Sequence, residues 1–219
     1  MLPYQFGADN FRNQKLFFMR KLFFLLSLPA IISFTTANYE LTKKERDDAT
    51  GYLKETQKAL AKEIRGLSEN QLKWKPADSV WSITECAEHL ALSEKNLFDW
   101  AMSTLKTEAN LGRRAELKHS DEDIKKIITD RSFRVKTREG FIPTGEFGDA
   151  KQTLSVFNER RETLIKYVKE TKDDLRNHFA DSPFGLVDAY QLIIFLSAHT
   201  KRHTLQIEEL KANPGFPKQ

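Results

Sequence analysis

The chain has 219 residues, 40% of them hydrophobic, with 35 Lys and Arg against 31 Asp and Glu and a single cysteine. Four of the cations (Arg12, Lys15, Arg20 and Lys21) and one anion (Asp9) lie in the first 37 residues, which leaves 31 positive and 30 negative side chains beyond them. So balanced a body lacks the concentrated basic surface that binding phosphates requires, which argues against a nucleic-acid partner. The lone Cys86 excludes an internal disulfide.

The first segment reads as a leader. Met19-Arg20-Lys21 supplies a positive start, Leu22 to Phe34 an apolar stretch interrupted by Pro29, and Thr35-Thr36-Ala37 the small residues of a cleavage site. Residues 19–37 are therefore expected to be a secretory signal peptide, with Met19 as the start and residues 1–18 as an upstream extension. The apolar stretch is short for a membrane span, and no cysteine follows it to take a lipid. The expected location is exported, periplasmic or secreted, with no stable membrane anchor after cleavage; the competing reading is an uncleaved N-terminal anchor. The 182 residues beyond Ala37 are enough to bury one core without staples.

Four long helices follow, each announced by a capping box in which a short oxygen-bearing residue stands three before Glu or Gln. Thr42 and Glu45 open the first, expected to run to about Gly66 with Ala49, Tyr52, Leu53, Thr56, Leu60 and Ile64 on one face. A connection from Leu67 to Trp81 carries Trp74, Pro76 and Trp81. Ser82 and Glu85 open the second helix, Ile83 to about Leu105, with Ile83, Cys86, Leu90, Leu97, Trp100 and Ala101 toward the core. The connection from Thr107 to Gly148 is too long for a passive turn. It is expected to hold a short helix from about Asp121 to Thr129, capped by Ser120, before Phe141-Ile142-Pro143-Thr144-Gly145 returns toward the bundle. That return is either a lid or pocket wall, or a surface insertion.

Asp149 and Gln152 open the third helix, which uses Leu154, Phe157, Leu164, Ile165 and Val168 and frays near Lys172. Asp188 and Gln191 open the fourth, Ala189 to about Lys211, with Leu192, Phe195, Leu196, His199, His203, Ile207 and Leu210 along it. Asn213-Pro214-Gly215 stops it, and residues 212–219 form a C-terminal tail. No run of alternating strand residues stands out, so the class is all-α, most simply a four-helix bundle with a long connection between helices two and three.

His199 and His203 stand at i and i+4 and so share one helical face. His89, in the second helix, is placed to approach them. Three neutral imidazoles with coordination positions left open make a catalytic type of metal site; a hydrogen-bonded pair in the core is the plainer alternative. Cys86, one turn before His89, is either a fourth ligand or a small buried hydrophobe. His119 and His178 lie in polar connections and are expected to be exposed. Glu85 is explained by its capping box and Glu88 by a solvated face, and with no H-E-x-x-H motif the residues name no general base. Arg160-Arg161 and Lys201-Arg202 read as solvated helix faces, the latter pair turned away from the histidines. Trp74, Trp81 and Trp100 either line a pocket or pack a loop onto the bundle.

The segment from Trp74 to Leu90, with W-S-I-x-E-x-x-x-H-L at Trp81 to Leu90, resembles the loop and second helix of DinB-like (DinB/YfiT) proteins. Ala189-Tyr190-Gln191, continuing to H-x-x-x-H-x-x-Q-I at His199 to Ile207, resembles that family's last helix. The likeness runs from about Tyr39 to Lys211, which assigns residues 38–211 to one DinB-like bundle domain. It implies one divalent transition metal, with Zn, Ni, Fe and Mn not distinguished by imidazole ligands, held by a histidine triad that maps to His89, His199 and His203. It also implies a homodimer. Some relatives are thiol-dependent transferases or isomerases, but export makes an abundant cytosolic thiol a less suitable co-substrate. The expectation is therefore a metal-dependent hydrolase acting on a small molecule through a water on the metal that the three histidines hold. The alternatives are a non-catalytic metal-binding or stress-response module, or a thiol-dependent S-transferase or isomerase.

Overall fold

Each long helix begins where a side-chain oxygen can satisfy backbone N–H groups that have no partner inside the helix. In the computed structural model, which describes residues 39–218, Thr42, Ser82, Asp149 and Asp188 all form reciprocal capping boxes with the Glu or Gln three residues on. The leader expected over residues 1–37 lies outside the described residues. The boxes open α1 (Lys43–Ile64), α3 (Ile83–Thr104), α5 (Ala150–Glu170) and α6 (Ala189–Lys211). Ser68 with Gln71 and Ser120 with Asp123 form two more, for the short helices α2 (Glu69–Lys73) and α4 (Asp121–Thr129). At the end of α1 the chain turns at Gly66, whose φ of 77° falls in the left-handed region that favours glycine.

The four long helices make the bundle. α1 and α3 each pack against both α5 and α6, so the order around the bundle is α1, α5, α3, α6, and α4 lies against α6. Leu53, Ile124, Leu164 and Ile193 mark one apolar cluster, and Leu60, Leu90, Phe157 and Ile207 mark a second. Among the described residues no helix is long and apolar enough to cross a membrane.

Between the clusters lies a charge that the sequence reading placed in solvent. Arg161 is fully buried. Its guanidinium donates to both carboxylate oxygens of Glu94 on α3, to the Leu53 carbonyl and Thr56 hydroxyl on α1 (both 2.8 Å), and to the Thr200 hydroxyl on α6 at 2.7 Å. One side chain on α5 thus touches the other three long helices, and both the guanidinium and its charged partner Glu94 are hydrogen-bonded as burial demands. Arg160 is half-buried and donates to the Ala91 carbonyl at 2.7 Å.

Two further differences follow from short elements. Residues Phe179–Ser182 (β1) and Gly185–Asp188 (β2) pair as an antiparallel hairpin, with Phe179 opposite Asp188 and Ser182 opposite Gly185. Four-residue strands are too short for alternation to register in the sequence. The hairpin also carries His178 inward, where its Nδ1 sits 2.8 Å from the Thr107 carbonyl; His178 and His119 are half-buried rather than exposed. The tail folds back as well, since Gln71 donates to the Pro217 carbonyl at 3.0 Å and Phe216 meets Trp74 edge-on.

Candidate metal centre

Helical spacing and the packing of α3 on α6 bring three imidazoles to one point. The Nε2 atoms of His89 and His203 each lie 3.2 Å from Nε2 of His199, and one ligating atom from each residue falls within 4.8 Å of the others. No carboxylate or thiol joins the cluster among the described residues. Cys86 is instead fully buried in the second apolar cluster, where desolvation pushes its thiol up to about 12.

The opposite edge of two rings is fixed. Nδ1 of His89 donates to the Phe141 carbonyl at 2.6 Å, and since a carbonyl can only accept, the proton of this neutral ring sits on Nδ1 and Nε2 presents a lone pair. Nδ1 of His203 is 2.9 Å from Oε1 of Gln206, which assigns the same tautomer. Trp81 holds the other faces, with ring centroids 4.7 Å from His89 and 6.1 Å from His203. Nδ1 of His199 is buried and has no hydrogen-bond partner among the described residues.

Those contacts are a test of whether a cation suits the site. If His199 carries its proton on Nε2, it can point at only one of two facing lone pairs. If the proton is on Nδ1, three lone pairs converge with nothing between them. Either arrangement leaves buried polar atoms unsatisfied, at roughly 1–3 kcal/mol each, and a cation bonded to the three Nε2 atoms removes the conflict among them, leaving the Nδ1–H of His199 as the group still without a partner among the described residues. Protonation is not the remedy, because burial drives the pKa of His89 down to about 4, a drop partly offset by the Phe141 carbonyl. Burial and then the neighbouring imidazoles hold His199 and His203 well below the ordinary histidine value. Three neutral imidazoles are what a divalent transition ion needs.

A charged neighbour supports the centre from behind. Glu88, expected on a solvated face, is 3% exposed. Its carboxylate accepts the backbone N–H groups of Thr144 at 2.9 Å, Gly145 at 2.7 Å and Glu146 at 3.0 Å. The loop it grips begins at Phe141, whose carbonyl orients His89. No local pattern could reveal this, because the partners lie more than fifty residues away. Gln206 was visible in the H-x-x-x-H-x-x-Q-I motif, but its task was not.

The imidazoles open onto a cleft of about 970 Å³ lined by aromatic side chains that include Trp81, Trp100, Phe141 and Phe195. Residues 127–141 supply one side of it, so this part of the long connection is a pocket wall. Arg202 departs from the solvated role expected of it. It lines the cleft, and its guanidinium donates to the carbonyls of Ile128, Asp130 and Phe133, fastening that wall to α6 beside His203.

A model of the DinB superfamily matches residues 52–207. The chain belongs to the DinB superfamily. Among relatives of this DinB-superfamily protein, the uncharacterized protein YuaE of Bacillus subtilis (strain 168) is 29% identical over 152 residues, spanning 68% of this chain and 88% of YuaE. Among solved structures, YfiT from Bacillus subtilis superposes with a TM-score of 0.54 at 17% identity, covering 81% of this chain and 91% of YfiT. YfiT is described as a probable metal-dependent hydrolase with an unusual four-helix bundle topology. At that identity the likeness establishes the shared fold.

Proposed function

We propose that this DinB-superfamily protein is a divalent-metal-dependent hydrolase acting on a small molecule, with His89, His199 and His203 as the ligands. The observation that carries the reading is the convergence of three imidazole Nε2 atoms at the floor of an aromatic cleft. A divalent ion on three imidazoles supplies Lewis acidity and lowers the pKa of water toward neutrality. The chain's own residues do the rest. The Phe141 carbonyl and Gln206 set the tautomers of His89 and His203, Trp81 packs against both rings, and residues 127–141 wall one side of the cleft above them. The description of YfiT supports the same chemistry.

A non-catalytic metal-binding module is the second reading. It is favoured by the lack, among the described residues, of any carboxylate in the ligating cluster that could serve as a base. Turnover separates the two. Protein purified without chelators is loaded with Zn, Ni, Fe or Mn and assayed against a panel of small esters and amides. The hydrolase reading expects turnover that depends on the metal and disappears in His203→Ala; bound metal with no turnover on any substrate supports the module. Export through residues 19–37 is part of the proposal, and a mature chain beginning at Asn38 is its expected signature in N-terminal sequencing.

A further inference from the structure

The walls of the cleft divide by chemistry. Beside the imidazoles they are aromatic. At the outer edge runs the segment Phe133-Arg134-Val135-Lys136-Thr137-Arg138, in which Phe133 and Val135 alternate with Arg134 and Lys136 before the polar Thr137 and Arg138, and all six line the cleft. Phe133 is 45% and Val135 71% exposed, so large apolar groups on this strap face water.

The cations around the cleft are not equivalent. Arg131 is held bidentately by Glu209, with both contacts at 2.6 Å, and Arg202 is spent on backbone carbonyls at the root of the strap. Arg134, Lys136 and Arg138 are exposed, and none makes a side-chain hydrogen bond or ion pair among the described residues. Among the described residues Glu209 is the one carboxylate in the lining, and Arg131 already occupies it. The mouth therefore carries uncompensated positive charge above an apolar floor, an arrangement that gathers and orients anions.

We propose that the cleft takes an anionic amphiphile. Its aromatic or branched apolar body sits against Trp81, Trp100 and Phe195, and its carboxylate-, sulfonate- or phosphate-type group meets Arg134, Lys136 and Arg138. This rests on the cleft being the substrate site of the hydrolase. With the anion held at the rim, the body of the molecule reaches inward and its reacting bond is presented to the histidine floor. Each exposed ion pair is weak on its own, and three together amount to about tenfold in affinity.

The test uses the full chain and two fluorescent probes, anilinonaphthalene sulfonate and its uncharged counterpart phenylnaphthylamine. Replacing Arg134→Gln, Lys136→Gln and Arg138→Gln together touches only exposed side chains, and circular dichroism checks that the fold is kept. The expected result is an affinity for the sulfonate lowered about tenfold, with the neutral probe changed less than about twofold. Phe195→Ala should weaken both probes. Unchanged sulfonate binding in the triple variant, an equal fall for both probes, or indifference of both to Phe195→Ala would overturn the proposal. Metal content and ester turnover are followed on the same samples. Sulfonate binding that is unchanged in the triple variant while metal-dependent turnover is intact removes the substrate class alone, whereas missing metal or turnover in the wild type removes the hydrolase.

Discussion

Glu88 and His89 are neighbours on α3 whose tasks meet through the loop at residues 141–146. His89 offers one nitrogen to the cluster and leans the other on the Phe141 carbonyl, while Glu88 holds the backbone just beyond that carbonyl. Partners behind a ligand commonly govern metal affinity by about 10–100-fold. Gln206→Leu should therefore weaken metal binding by about tenfold or more, read by competition with a chromogenic chelator. Glu88→Ala should weaken it in the same assay and also raise hydrogen exchange at Thr144, Gly145 and Glu146; an unchanged metal affinity would cut the link from that loop to the centre. His199 and His203 were legible because helical spacing is a local property, whereas His89, on another helix, was mapped to them by the family resemblance of its segment. Glu88 and Arg161 were not, because a charge on a helix reads as solvated until a distant backbone or carboxylate arrives to bury it.

The long helices were read to within a residue or two because a capping box is written in four consecutive residues. α2 and the β1–β2 hairpin escaped because five and four residues hold too little periodicity. What the boxes do not encode is how the helices are registered, and Arg161 has that role. It binds Glu94, one and a half turns from His89, and Thr200, adjacent to His199, so it ties together the two helices that carry the ligands. Arg161→Ala leaves Glu94 buried and unpaired and should cost about 3–5 kcal/mol in urea denaturation. A double replacement by apolar residues, Arg161→Met with Glu94→Leu, should recover much of that loss.

A second tie responds to pH. Burial raises the pKa of Glu45, but the hydrogen bonds of its capping box with Thr42 and the charge of Arg176 outweigh it and hold the carboxyl below its ordinary value. The ionised Glu45 therefore stabilises the fold fully above the unfolded value near 4.5, and that contribution is lost as pH falls through the lower folded value. Glu45→Gln should melt below the wild type at pH 7, with the gap closing in acid; a gap independent of pH would contradict this.

Over the whole molecule the bundle supplies a rigid floor and the long connection supplies the wall. α3 and α6 carry the imidazoles, and the segment between α4 and α5 forms one side of the space above them. The existence of that connection was legible from its length, and its role as a wall was not, since nothing local says where Arg202 will fasten it. Everything proposed about chemistry depends on an ion binding at His89, His199 and His203. The direct measurement is metal content by mass spectrometry of protein purified without chelators and equilibrated with Zn, Ni, Fe and Mn. About one equivalent of a transition metal per chain is expected in the wild type, falling to background in His203→Ala. Less than about a tenth of an equivalent in the wild type, or undiminished metal in His203→Ala, would contradict the assignment.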